Sequence, residues 1–121
     1  MIKTSPIYDI SVGISELQNV KNIHIVAVEN EVKELLFELH KGYEGSVTIK
    51  TINFTKGNPE IFDFVPDNKI ETTFSEPKKY LYEPNAAIVK SQGFGALSKY
   101  HNITKLHRHS HLFTSEQLID F

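Results

Sequence analysis

Between Ile23 and Val28 the chain runs Ile-His-Ile-Val-Ala-Val, apolar at every position but His24. A run this short and this rich in β-branched side chains has the length of a buried strand. With apolar groups pointing both ways, it demands cover on both faces. The composition can supply that cover: of 121 residues 40% are hydrophobic, among them 8 Phe and 5 Tyr. Such a chain makes one modest domain or two very small ones.

The neighbouring segments predict helices around this strand. Ser5-Pro6 is a helix start, with Asp9 in the first turn and Ile7, Ile10, Ile14 and Leu17 on one face. Gly13 weakens the interior of that helix, and Asn19 ends it. After the strand, Asn30 reads as the cap of a second helix. Val32, Leu35, Leu36 and Leu39 fall at i, i+3, i+4 and i+7, and Gly42 supplies a left-handed stop after His40 and Lys41. By this reading Leu36 is deeply buried.

Strand-like segments follow. Val47 to Phe54 is rich in β-branched residues, with a change of apolar phase between Ile49 and Ile52 that implies a bulge or burial on both sides. Lys56-Gly57-Asn58-Pro59 is a turn, and Ile61 to Val65 and Ile70 to Phe74 are short strands around Pro66-Asp67-Asn68. Helix, strand, helix and two or three strands make an α+β sandwich of ferredoxin-like type. Beyond the junction Ser75-Glu76-Pro77, Pro84 starts a third helix through Ala86 to Val89. Gly93 stops or kinks it, and Phe94 to Tyr100 continues as a fourth. Leu106 to Thr114 alternates in an extended way, and Thr114-x-x-Gln117 matches a capping box for a final turn. The end at Phe121, directly after Leu118-Ile119, is more apolar than most termini, which suggests truncation.

Charge is distributed unevenly. Residues 1–77 hold seven Lys against twelve Asp and Glu, net −5. Residues 78–115 hold Lys78, Lys79, Lys90, Lys99, Lys105 and Arg108 against Glu83, net +5, together with four of the six His. Two readings stay open: a surface for a polyanion, or a solvated basic face balancing an acidic one. With no Cys, disulfides, thiolate metal sites and thiol nucleophiles are excluded. No apolar run approaches the ~20 residues of a membrane helix and no signal-peptide core opens the chain, so a cytoplasmic setting without membrane contact is expected.

Three strings resemble one family, in matching order over nearly the whole chain. Lys3-Thr4-Ser5-Pro6-Ile7-Tyr8-Asp9 is similar to a KxSPMxD segment that follows the catalytic domain of certain bacterial S-adenosylmethionine-dependent methyltransferases. Val28-Glu29-Asn30-Glu31-Val32-Lys33-Glu34-Leu35-Leu36-Phe37 is similar to their VxNECKELLF helix. Lys79 to Ile88, with Leu106-His107 and His111 to Ser115, resembles their C-terminal THUMP-like domain, of pattern YLYEPDAAI…LHPNTHLYTS. Val32 stands where that family often has Cys, Asn85 where it has Asp, and Arg108-His109-Ser110 where it has a Pro-Asn-Thr-like stretch.

The resemblance implies a ferredoxin-like domain over residues 1–75 and a compact THUMP-like α/β subdomain over 76–121, truncated at its C-terminus. The catalytic methyltransferase domain would lie upstream in the same chain and carry the S-adenosylmethionine. By analogy with THUMP domains, the partner is structured RNA, tRNA or rRNA, delivered to that domain. The alternative is a structural module that docks on its own catalytic domain.

The residues themselves carry no catalytic, metal or cofactor motif. The Gly-x-Gly of Gly93-Phe94-Gly95 follows a helix rather than a strand, so it reads as a helix stop and not as a cofactor cradle. No Ser-His-Asp set or carboxylate couple stands out. The candidate RNA-binding residues are Lys78, Lys79, Lys90, Lys99, Lys105, His107, Arg108 and His111. In an extended segment His107, His109 and His111 would share one strand face. A metal site, phosphate contacts and hydrogen bonds within the fold are all open to them. Tyr80, Tyr82, Phe94, Tyr100 and Phe113 interleave with the lysines, as stacking platforms for bases or as core.

Overall fold

The structure is a computed structural model and describes residues 1–67 and 71–119. It is mixed α+β, as expected. In chain order the elements are β1 (Ile2–Thr4), α1 (Ile10–Glu16), β2 (Val20–Val28), β3 (Glu31–Leu39), β4 (Thr48–Phe54), β5 (Glu60–Phe64), β6 (Tyr80–Tyr82), α2 (Ala86–Ser91), α3 (Phe94–His101), β7 (Thr104–Lys105) and β8 (Phe113–Ser115). They form a five-stranded sheet in the order β1-β3-β2-β4-β5 and a three-stranded sheet in the order β6-β8-β7. The expected buried strand, β2, is the central strand of the large sheet.

The second predicted helix is instead β3, antiparallel to β2. Local backbone decides it. Glu29 and Asn30 have φ of 47° and 64°, and Val28 faces Glu31 across them. Two positive-φ residues make a type I′ hairpin turn, whose twist matches that of the strands. Asn30 is therefore a turn residue and not a helix cap. Leu35 and Phe37 are fully buried at spacing two, while Leu36 points to the other face and is half-buried. Gly42, at φ 81°, serves a loop after the strand. That loop crosses the start of β2, tied by the His40 amide to the Asn19 carbonyl and by the Asn19 side chain to the Tyr43 carbonyl, and enters β4 parallel to β2.

Helix α1 starts later than expected. The Asp9 carboxylate, not Ser5, accepts the Ser11 amide at 2.8 Å and caps it. Pro6 lies in a turn closed by the Tyr8 amide and the Ser5 carbonyl, which leaves Ile7 88% exposed. Of the predicted face, Ile10 is buried, Leu17 packs partly against the core, and Ile14 stays exposed. Gly13 has a positive role: a Cβ there would sit 2.5 Å from the Phe37 ring. In β4 the phase change has a different cause from a bulge. Ile49, Thr51 and Asn53 form the buried row, and the Thr51 hydroxyl donates to the Phe62 carbonyl at 2.6 Å.

Of the strand expected over Ile70 to Phe74, Ile70 lies outside the described residues, and the rest shows one isolated bridge, Phe74 with Lys105. The third and fourth helices are α2 and α3. Asn85 caps α2 by accepting the Ile88 amide at 3.0 Å. The left-handed residue that ends α2 is Gln92 and not Gly93. Gly93 is small for another reason: a Cβ on it would meet the Phe64 ring at 2.7 Å. The expected capping box at Thr114 is absent, since Thr114 is a fully buried residue of β8. One hydrophobic cluster joins Ile10, Ile23, Ile25, Leu35, Phe37 and Ile49 to Ala87, Ile88, Leu97, Ile103 and Phe113, so residues 76–119 pack on the large sheet.

Candidate nucleic-acid interface

The small sheet orders most of the basic segment. Its register pairs Tyr80 with Ser115, Tyr82 with Phe113, and Lys105 with Phe113 on the other side. Lys78 and Lys79 therefore lie beyond one end of the sheet, and residues 107–111 beyond the opposite end. Buried polar groups hold the register. The Thr114 hydroxyl accepts the Lys78 amide at 2.8 Å and donates to the Tyr80 carbonyl at 2.7 Å. The Tyr82 hydroxyl lies 3.0 Å from the Ser115 hydroxyl and accepts the Ile119 amide at 2.8 Å.

The eight candidate residues divide accordingly. Lys78 and Lys79 are exposed, with the Lys79 ammonium 5.5 Å from the Tyr80 ring centroid. Lys99 is exposed on α3. His107 and Arg108 are exposed on a turn closed by the Ser110 amide and the His107 carbonyl. Because of that turn, His107, His109 and His111 do not line one strand face. His111 instead stacks on Phe94, with centroids 5.5 Å apart. Lys90 stands apart in the last turn of α2; hydrogen bonds from Ser11 hold the Asp9 carboxyl below the usual carboxylate range, and the Lys90 charge adds a smaller pull in the same direction.

Lys105 is withdrawn from the surface, contrary to its expected place among phosphate-binding groups. It is 6% exposed, its ammonium donates to the Arg108 carbonyl at 3.1 Å, and it lies 4.3 Å from the centroid of Phe94. Burial pushes its pKa down. A cation held by a ring face and a carbonyl is structural and cannot reach a phosphate. Among the aromatic residues, Phe113 is core, Tyr82 and Phe94 pack against the core, and Tyr100 is 51% exposed beside Phe62. Among the described residues no three His, Asp or Glu side chains converge on a metal position.

Sequence reasoning missed a second feature, a pocket of about 300 Å³ where the hairpin tip meets α2. The Asn30 side chain accepts the Ala86 amide at 2.6 Å, and the Asn53 side chain accepts the Asn30 amide at 2.9 Å. Asn53 and Asn85 both donate to one Glu60 oxygen, at 2.8 and 3.2 Å. The signal was present: two of the family-like strings, around Asn30 and around Asn85, meet here. Glu29, Glu60 and Glu83 line the pocket, so it repels phosphate.

A family model described as a ferredoxin-like domain matches residues 80–121. Among solved structures, the chain is similar to a candidate methyltransferase from Porphyromonas gingivalis W83, with a TM-score of 0.89 and 31% identity. That match covers 98% of this chain and 31% of the other, so the chain spans about a third of the protein it resembles. No curated protein matches the chain. Among the described residues no helix is long and apolar enough to cross a membrane.

Proposed function

We propose that this chain is the RNA-recognition region of a larger S-adenosylmethionine-dependent RNA methyltransferase of the cytoplasm. The cofactor and the chemistry would belong to a catalytic domain outside these 121 residues. One observation carries the reading: Lys78, Lys79, His107, Arg108 and His111 stand exposed at the two ends of one three-stranded sheet, with Lys99 exposed on the preceding helix. Cations spread over one small rigid platform suit a folded polyanion, whose phosphates are spaced along a backbone and not gathered at a point. The match to about a third of a candidate methyltransferase supports the same reading.

The test is the salt dependence of binding to structured RNA by the whole protein. Replacing Lys79, Lys99 and Arg108 by Ala removes up to about three released counterions, which weakens binding and flattens the salt slope by up to about that number. Replacing Lys21, Lys41 and Lys56, exposed in the acidic half, removes the same charge and leaves the slope nearly unchanged. Equal losses from the two triples reduce the interaction to general attraction and reject a site.

A further inference from the structure

The helices pack on one face of the large sheet, where Ile10, Ala87, Ile88 and Leu97 join Ile23, Ile25, Leu35 and Phe37 in one core. Register assigns the residues of the other face. Leu36 pairs with His24, and His24 with Lys50. The next row is Val26, Ile52 and Ile61, and the last is Val28 beside Phe54. Val26, Leu36 and Ile52 are half-buried by their neighbours alone, while Val28, Phe54 and Ile61 are 41%, 46% and 62% exposed. Six apolar side chains therefore adjoin on a sheet face that no described helix covers. Monomeric proteins scatter exposed apolar residues singly; a contiguous patch on a rigid sheet marks a contact surface.

The charges around the patch are paired within the face. Lys3 meets Glu34 at 3.0 Å, His24 meets Glu38 at 2.9 Å, and Lys50 stands opposite Asp63 in register. A surface with an apolar centre, and with carboxylates beside its basic groups, suits a protein partner and offers little to a polyanion.

The partner follows from chain length. The solved chain that keeps this fold at a TM-score of 0.89 is about three times as long, since the match covers 31% of it. We propose that the open face of the large sheet docks on the catalytic remainder of the parent chain, which orients the small sheet toward substrate. This rests on the reading of the chain as part of a methyltransferase. Packing there would cover Val28, Phe54 and Ile61 and fix the distance between the basic platform and the reacting site.

Hydroxyl-radical footprinting of the full-length gene product, read by mass spectrometry, tests this within one molecule. After correction for intrinsic reactivity, Phe54 and Ile61 should react several-fold more slowly than Leu81 and Tyr100, which are 58% and 51% exposed in this chain. That protection should persist on dilution and without RNA. Equal rates overturn the proposal. Protection lost on dilution overturns it in favour of a second copy of the chain, and protection that needs added RNA overturns it in favour of an RNA surface. A full-length protein that binds no RNA but still protects Phe54 and Ile61 keeps the docking face and rejects the RNA-recognition reading alone.

Discussion

The two sheets bury their inner faces by different means. In the large sheet the buried positions are chiefly hydrocarbon: Ile23, Ile25, Leu35 and Phe37 are fully inaccessible, with Ile49 nearly so. Their stabilisation scales with apolar area removed from water and has no preferred direction. In the small sheet, Phe113 is flanked by Lys105, Thr114 and Ser115, all three polar and all buried. These are stabilising only while each finds its partner. Thr114 links Lys78 to Tyr80, Ser115 meets Tyr82, and Lys105 holds the Arg108 carbonyl. Hydrocarbon burial tolerates exchange of one apolar residue for another of like size. A buried polar network fails when one member is removed, because its partners keep the cost of desolvation.

The largest expected effect lies in the large sheet. Leu35→Ala should lower stability by about 2–5 kcal/mol in urea denaturation. Leu36→Ala, one residue along on the open face, should cost about 1 kcal/mol or less. Equal losses would mean that the strand faces are wrongly assigned and would restore the helical reading of residues 31–39.

Thr114→Val sharpens the contrast. Valine keeps the shape and removes both hydrogen bonds of the hydroxyl, to the Lys78 amide and to the Tyr80 carbonyl. The expected loss is about 1–3 kcal/mol by the same measurement. A neutral result would show that shape and not hydrogen bonding holds the small sheet.

The smallest effect appears on the acid side. Glu38 accepts from His24 at 2.9 Å and from His40 at 2.7 Å, and these bonds bring its pKa down from 4.5 to about 2. A carboxyl depressed in the folded state stabilises above its unfolded pKa, and that contribution is lost as pH falls through the folded value. Stability should therefore decline between pH 4.5 and about 2. Glu38→Gln should flatten that part of a stability-against-pH profile and leave the small sheet unaffected. An unchanged acid limb would mean that the two imidazoles do not hold this carboxylate.

Much of the fold was legible because the signals concerned were local. The Ile23–Val28 run marked the central strand, Lys56 to Pro59 marked a turn, and Pro84 with the Ala86–Val89 run marked α2. The segment 31–39 was not legible, because Val32, Leu35, Leu36 and Leu39 satisfy a helical period while Leu35, Phe37 and Leu39 satisfy a strand period. The deciding residues were Glu29 and Asn30, whose left-handed backbone is shared by caps of several kinds. Of the candidate surface, the charge imbalance located the basic segment and could not separate exposed cations from Lys105. The Asn30–Asn53–Glu60–Asn85 cluster draws its members from three separated stretches of the chain, and no spacing rule could assemble it.

By itself, then, the sequence determined the α+β class, the central strand, the last two helices, the absence of thiol chemistry and the region of positive charge. These follow from side-chain period, turn residues and composition, each of which acts over a few residues. Only the tertiary structure decided that residues 31–39 pair as a strand, that Lys105 is buried, that Gly13 and Gly93 make room for Phe37 and Phe64, and that one face of the large sheet lies open. Each of those depends on which distant group stands within a few ångströms, and strand pairing and burial are set by such neighbours and not by the local chain.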